Sequence, residues 1–262
     1  GIAIPKTYEE VVAASEKIRA AVKMKYPYAA AYKAGWNLAE EFVNMYIGHG
    51  GEFFEAGSAK PSINNAKGVA TLNMLKKLAD LSNPDYLTHD SEAIKVEWEA
   101  GNVAIMTLWA SRSGTLLDDE GDAKITAATK LVAPATVGGG NIPAATLWWD
   151  GFTLAKNRPD ADAEASFRAM AHAASSKEMV AKASDQAVWL VEGFVPGPKS
   201  VGVIEAVKMG AKPYPMLPQM GLMHGALGNE IVEFLQGNET AEQALKDVEA
   251  AYNTKAKEQG FL

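Results

Sequence analysis

Six tryptophans, Trp36, Trp98, Trp109, Trp148, Trp149 and Trp189, are the residues of this chain best suited to holding a small molecule. A flat ring buries the apolar C–H faces of a ligand while neighbouring Asp, Asn or Arg side chains satisfy its polar edges. A sugar is such a ligand. Trp36 lies between Lys33-Ala34-Gly35 and Asn37, and Trp109 is followed at once by Ser111-Arg112-Ser113. The Arg112 guanidinium, two donors wide, can grip a hydroxyl or acidic group beside that ring. Trp148-Trp149-Asp150-Gly151 places two rings and a carboxylate together. Trp98, on a helix with Ile94, and Trp189, between Val188 and Leu190, read as core. For the other four the bland alternative stays open, since large aromatics also fill cores.

Catalytic constellations are mostly missing. His49, His89, His172 and His224 show none of the close spacings of a metal site. His49, among glycines, reads as a solvated loop residue, and His172, between Ala and Met in a helix, as structural. Gly138-Gly139-Gly140 has no Gly-Lys-Ser/Thr after it and is not a phosphate loop. Ser111-Arg112-Ser113-Gly114 is not a nucleophile elbow. Asp118, Asp119, Glu120 and Asp122 read as a solvated acidic face. A glycosidase needs two facing carboxylates, and nothing in the sequence either selects or excludes such a pair. The chain has no cysteine, hence no disulfide, thiolate nucleophile or cysteine zinc site. A net charge of −7 speaks against a nucleic-acid surface or an anionic membrane. Neither a metal nor an organic cofactor is expected.

The elements that must position these residues are mainly helices. Thr7-Tyr8-Glu9-Glu10 is a capping box opening a helix with an apolar stripe of Val11, Val12, Ser15, Ile18, Ala21 and Val22. Further helices are predicted over Ala29–Tyr46, Asn64–Leu81 and from Asp90-Ser91 to Gly101, and later from Ser175-Ser176-Lys177-Glu178, over Leu222–Leu235 and over Thr240–Glu258. The continuous apolar run Val103–Trp109 predicts a buried strand, with Ile125–Val132 and Leu147–Ala155 as two more. Ala133–Pro143 reads as a linker, Phe194–Pro198 as a loop and Lys212–Pro218 as an extended connection. Strands among many helices predict α/β layers, helix-rich, with a boundary near the glycine linker. No apolar run approaches the ~20 residues that cross a bilayer. Gly1-Ile2-Ala3-Ile4-Pro5 lacks the character of a secretory signal, so any signal is expected to lie upstream or to have been removed.

Three segments, in order, carry a family resemblance. Gly101-Asn102-Val103-Ala104-Ile105-Met106-Thr107-Leu108-Trp109-Ala110 resembles the G-x-x-A-M-x-x-x-W segment of the extracellular solute-binding proteins of family 1, the maltose-binding-like group. Leu131-Val132-Ala133-Pro134, with Trp149-Asp150-Gly151-Phe152-Thr153-Leu154-Ala155-Lys156-Asn157 after the linker, resembles that family's crossing strand. Ala226-Leu227-Gly228-Asn229, Leu235-Gln236-Gly237 and Thr240-Ala241-Glu242-Gln243-Ala244-Leu245 resemble its closing pattern.

The resemblance implies a periplasmic-binding-protein-like, type II two-lobe architecture whose first lobe is incomplete here. Residues 1–147 and 200–262 would build the C-terminal lobe, and 148–199 the returning part of the N-terminal lobe. It further implies a non-enzymatic substrate-binding component of an ABC importer, periplasmic or extracellular and membrane-tethered. Its partners would be a small-molecule solute, a carbohydrate before others, and the importer's membrane permease subunits, with no nucleic acid and no direct membrane insertion. Trp109 matches the family's stacking aromatic, and Trp36 falls where another cleft aromatic lies. Trp149, Asp150 and Gly151 match the hinge-crossing segment, and His224 lies near the place of a third aromatic. Arg112 joins them on chemistry alone. A carbohydrate-active hydrolase using a carboxylate pair, or a binder of a non-sugar solute, are the alternatives.

Overall fold

The computed structural model describes residues 1–118, 121–184, 188–189 and 191–262. Asp119 and Glu120, half of the acidic run, lie outside the described residues, as does Leu190. The chain begins with α1 (Tyr8–Ala21), β1 (Tyr28–Ala29), α2 (Trp36–Gly48), α3 (Ala66–Ala79), α4 (Ser91–Glu99) and β2 (Ile105–Met106). It continues with the short α5 (Ala110–Ser113) and α6 (Ala123–Ala128), then β3 (Thr146–Leu147), α7 (Asp160–Ser175), α8 (Lys177–Lys182) and α9 (Val201–Lys208). After β4 (Lys212–Pro213) it closes with α10 (Met220–Gln236) and α11 (Ala241–Glu258). β1 pairs with β2 and β3 with β4, both parallel.

The caps form where side-chain oxygens stand ready to take up free N–H groups. Thr7, Asn65, Asp90, Ser176 and Thr240 each accept at the start of their helices. At α1 the box closes one residue early: Thr7 Oγ1 accepts from Glu10 N at 3.1 Å, and Glu10 Oε2 accepts from Lys6 N at 2.7 Å. The main core joins α1, α2, α3, α10 and α11, with Leu38, Phe42, Tyr46, Leu72, Leu75, Leu227, Ile231, Leu245 and Tyr252 sealed inside.

Residues 28–32 divide between two cores with a period of two. Tyr28, Ala30 and Tyr32 face the main core, while Ala29 and Ala31 face a smaller one with Ile94 and Val103. This overturns the helix expected from Ala29. Three alanines favour a helix locally, but burial on both sides and pairing with β2 override propensity. The helix starts only at Trp36, behind Gly35 with φ of 93°.

Other expectations fail for comparable reasons. The run Val103–Trp109 pairs over Ile105–Met106 alone and is half-buried beyond Val103, because among the described residues one strand flanks it. Ala104 and Ile105 both donate to the Pro27 carbonyl, at 2.9 and 3.0 Å, a bulge that shifts which side chains face each core. Ile125–Val132 is not a strand, since Asp122 caps the helix α6 there. Leu147–Ala155 leaves β3 after Leu147 and continues irregular and exposed. The 133–143 linker is anchored: Val137 is fully buried, Thr136 bridges to Thr7, and Gly138 N donates to Glu9 Oε1 at 2.9 Å. His172 is exposed, so it is no core histidine. Trp98 is half-buried and donates to Thr129 Oγ1 at 2.9 Å, and Trp189 donates to the Ala183 carbonyl at 2.9 Å.

Candidate ligand-binding site

Both parallel strand pairs deliver an aromatic residue from their carboxyl ends. β3 leads straight into Trp148 and β4 into Tyr214, and the register that pairs Leu147 with Pro213 makes those two the next neighbours. Tyr214 N donates to the Leu147 carbonyl at 3.1 Å, and the two rings lie 4.3 Å apart. Trp109 stands three residues beyond β2, just ahead of α5. The carboxyl end of strands is where open α/β sheets hold ligands.

Trp36, the first residue of α2, is the hub. Its ring lies 5.5 Å from Trp109 at 81°, 5.7 Å from Trp148 and 5.0 Å from His224. These rings are wet although apolar: Trp36 is 49% exposed and Trp148 44%. The guanidinium of Arg112 sits 5.7 Å from the Trp109 ring, within cation–π range, and is ion-paired with Glu92.

His224, buried on α10, ties the wall together. Its Nε2 lies 3.0 Å from the Trp36 carbonyl and its Nδ1 2.8 Å from the Tyr214 hydroxyl. A carbonyl only accepts, so Nε2 carries the proton and Tyr214 donates to Nδ1. Desolvation lowers the His224 pKa, which agrees with this neutral tautomer, and burial raises that of Tyr214.

Beneath the wall lies Glu40. Trp36, Glu40 and Asn44 are four residues apart and share a face of α2. Glu40 Oε1 accepts from Trp148 Nε1 at 3.1 Å and lies 2.7 Å from the Thr146 hydroxyl, while Oε2 is buried without a partner. Burial pushes this carboxyl up to about 7, against the pull of those hydrogen bonds. Glu41 faces elsewhere. It is fully enclosed within the field of Tyr8 and Tyr32 and is pushed up to about 8, by burial first and by Glu40 second.

Of the residues singled out from sequence, Trp36, Trp109, Arg112 and His224 come together. Trp149, Asp150 and Gly151 do not: Trp149 is 75% exposed, and all three lie on the exposed run after β3. Adjacent residues of an extended chain face opposite ways, so one of the two tryptophans alone joins the wall. Tyr214 and Glu40 escaped notice, and of the Trp148-Trp149 pair the resemblance selected Trp149 instead of Trp148. The Trp-Trp pair held half the signal, but its parity depends on the register with β4.

No group of three or more metal-ligating side chains occurs among the described residues. No helix among them is long and apolar enough to cross a membrane.

The family of bacterial extracellular solute-binding proteins matches residues 1–180. The chain is similar in fold to an ABC transporter solute-binding protein of Agrobacterium radiobacter K84 in complex with ribitol, with 18% identity and a TM-score of 0.77 over 96% of this chain and 65% of that one. It is similar to the maltose-bound MalE3 of T. maritima, with 17% identity and a TM-score of 0.79 over 96% of this chain and 66% of that one. A sugar transporter of Arthrobacter chlorophenolicus A6 with bound laminaribiose matches at 15% identity and a TM-score of 0.73, over 96% and 65%. The chain thus spans less than two thirds of the length of these proteins. A comparison with curated proteins found no match. With a type II periplasmic-binding-protein fold and a family match over most of its length, the chain belongs to the bacterial extracellular solute-binding proteins.

Proposed function

We propose that this chain supplies one wall of a cleft that captures a sugar or polyol for an ABC importer, outside the cytoplasmic membrane. The observation that carries this reading is the convergence of three solvent-reached rings, the half-exposed Trp36 and Trp148 and the partly buried Trp109, at the carboxyl ends of both strand pairs. Such rings stack on the C–H faces of a polyhydroxylated solute, while Arg112 beside Trp109 can take its hydroxyls. Binding by lobe closure involves no covalent step. A hydrolase finds little support. Among the described residues the buried carboxyls are Glu40 and Glu41, and they face different surroundings instead of one another across a cleft.

The test is a titration of the chain, extended to the length of its structural relatives, with ribitol, mannitol, maltose and laminaribiose while tryptophan emission is followed. We expect saturable quenching with at least one of them. Trp109→Ala should weaken that binding about 10–100-fold, as loss of a stacking ring worth roughly 1.5–3 kcal/mol implies. No response to any polyol or sugar, with saturable binding of an amino acid or polyamine, would sink the assignment.

For the lobes, the reading is that residues 1–147 and 200–262 form the C-terminal lobe and 148–199 the returning part of the N-terminal lobe. Support comes from α7, sixteen residues long without one buried side chain, and from Trp149, Phe152, Phe167 and Val195, each at least 62% exposed. A helix that leaves Phe167 exposed and seals no side chain has little packing beyond its neighbour α8 to sustain it. Amide exchange in α7 should therefore be faster than in α10 and α11 by several orders of magnitude. In the extended chain that difference should shrink. Equal protection in the 262-residue chain would contradict this division.

A further inference from the structure

The rings of the wall differ in how they are held. Tyr214 is tied through its hydroxyl to His224, and His224 in turn to the Trp36 carbonyl. Trp148 follows β3 into an irregular stretch, is 44% exposed, and has its polar atom turned inward instead. Its Nε1 donates to Glu40 Oε1 at 3.1 Å and to Thr146 Oγ1 at 3.0 Å, and the Thr146 hydroxyl itself lies 2.7 Å from the same Glu40 oxygen. The indole thus meets a carboxyl group that is only 1% exposed and a hydroxyl that this carboxyl shares with Asn44 Oδ1, 2.8 Å away.

We propose that Glu40 is a positioning residue, anchoring the Trp148 indole from beneath and so setting the tilt that this ring presents in the aromatic wall. A solute need not touch Glu40 for this to matter. Trp148 lies 4.3 Å from Tyr214 and 5.7 Å from Trp36, so a rotation of its ring changes the width and slope of the surface between them. The consequence for solute choice rests on the wall being the solute platform, whereas the anchoring itself does not.

Glu40 Oε2 is sealed without a partner, and a carboxylate in that position lacks compensation for its charge. The carboxyl accordingly holds its proton up to about pH 7. Below that pH the Trp148 indole is bonded to a neutral acid, and above it to a carboxylate, a stronger acceptor. The titratable groups coupled to Glu40 are Glu41 on the same helix and Tyr214 after β4, with His224 of α10 bonded to that tyrosine hydroxyl.

The experiment reads Trp148 alone, as the difference in emission between each protein and its Trp148→Phe counterpart, from pH 5.5 to 8.5 and without solute. The wild-type difference spectrum should shift with a midpoint near pH 7. In Glu40→Gln the transition should vanish while the spectrum stays like that of the wild type at low pH, because the amide oxygen still accepts. In Glu41→Gln the transition should persist. In Glu40→Leu the Trp148 emission should lie further to the red at every pH, as the ring loses its anchor and meets water. A wild type without a transition, a transition that survives in Glu40→Gln, or a Glu40→Leu spectrum equal to that of the wild type would each overturn the proposal. Should Glu40→Leu fail to fold, the pH series of Glu40→Gln decides alone. Absence of binding to any sugar or polyol would refute the platform reading and leave this spectroscopic result intact.

Discussion

Replacing Glu41 by glutamine should abolish most of the loss of stability that the protein undergoes between pH 6.5 and 8.5. Glu41 is enclosed on α2, and burial raises its carboxyl to about 8 from an ordinary value of 4.5. Between those two values the unfolded chain has released the proton and the folded chain still holds it. The folded state therefore binds more protons, and stability falls as pH rises, levelling off above pH 8. Each pH unit in that window costs about 1.4 kcal/mol, so the stretch from 6.5 to 8 removes about 2 kcal/mol through Glu41. Glu40, raised to about 7, adds to the fall in the lower part of the window.

His49 and His224 act in the opposite sense, because burial lowers both. Their folded forms are neutral where the unfolded histidine takes a proton, so they favour stability as pH rises towards 6.5 and contribute nothing further above it. The interval from 6.5 to 8.5 thus isolates the carboxyls. Urea unfolding at those two pH values checks this. The wild type should lose roughly 2–3 kcal/mol, and Glu41→Gln less than half of that. At pH 5 the two should be nearly equal, since glutamine resembles the protonated acid. A wild-type stability that is flat across the interval would refute the burial of a protonated Glu41.

Where the sequence speaks clearly in this protein, the signal is local. Thr7, Asn65, Asp90 and Thr240 announce helix starts because capping is settled within three residues. The errors share the opposite character. Ala29–Tyr32 reads as helix by propensity but runs on from β1 without helical structure, because two cores claim alternate side chains, and no local pattern of alanines records that. Ile125–Val132 carries β-branched residues, yet its first four residues fold into α6 under the Asp122 cap and the rest is irregular. The site shows the same division. Trp36 and Trp109 stand out by type and by their polar neighbours, and His224 by its place in a family pattern. Trp148, Tyr214 and Glu40 enter through the register of β3 with β4 and the packing of α2 beneath them. Those are pairings across 66 and 108 residues, which spacing along the chain does not encode.

The close approach of α10 to the start of α2 sets the hub of the wall, and it depends on Gly228. Gly35 N donates to the Gly228 carbonyl at 2.9 Å, and a Cβ built at Gly228 would stand 2.2 Å from the Gly35 carbonyl oxygen and 2.5 Å from its carbon. Backbone at that distance has no rotamer with which to yield. Gly35 is itself fixed at φ 93° and ψ −132°, a conformation open to glycine. Gly228→Ala must therefore push the two helices apart. His224 lies four residues earlier on the same face of α10, so its 3.0 Å bond to the Trp36 carbonyl stretches with the displacement. We expect a loss of about 1–3 kcal/mol, or roughly 2–10 °C in Tm for a chain of this size, with a rise in the exposure of Trp36 to acrylamide quenching. Gly225 provides the comparison. It lies three residues earlier in α10, is exposed, and a Cβ there meets nothing within 4 Å. Gly225→Ala should raise stability by about 1 kcal/mol through helix propensity alone. The same chemical change in the same helix should thus have opposite signs, with the negative one alone altering Trp36. Equal effects at the two positions would show that helix propensity, and not the contact with Gly35, governs this interface.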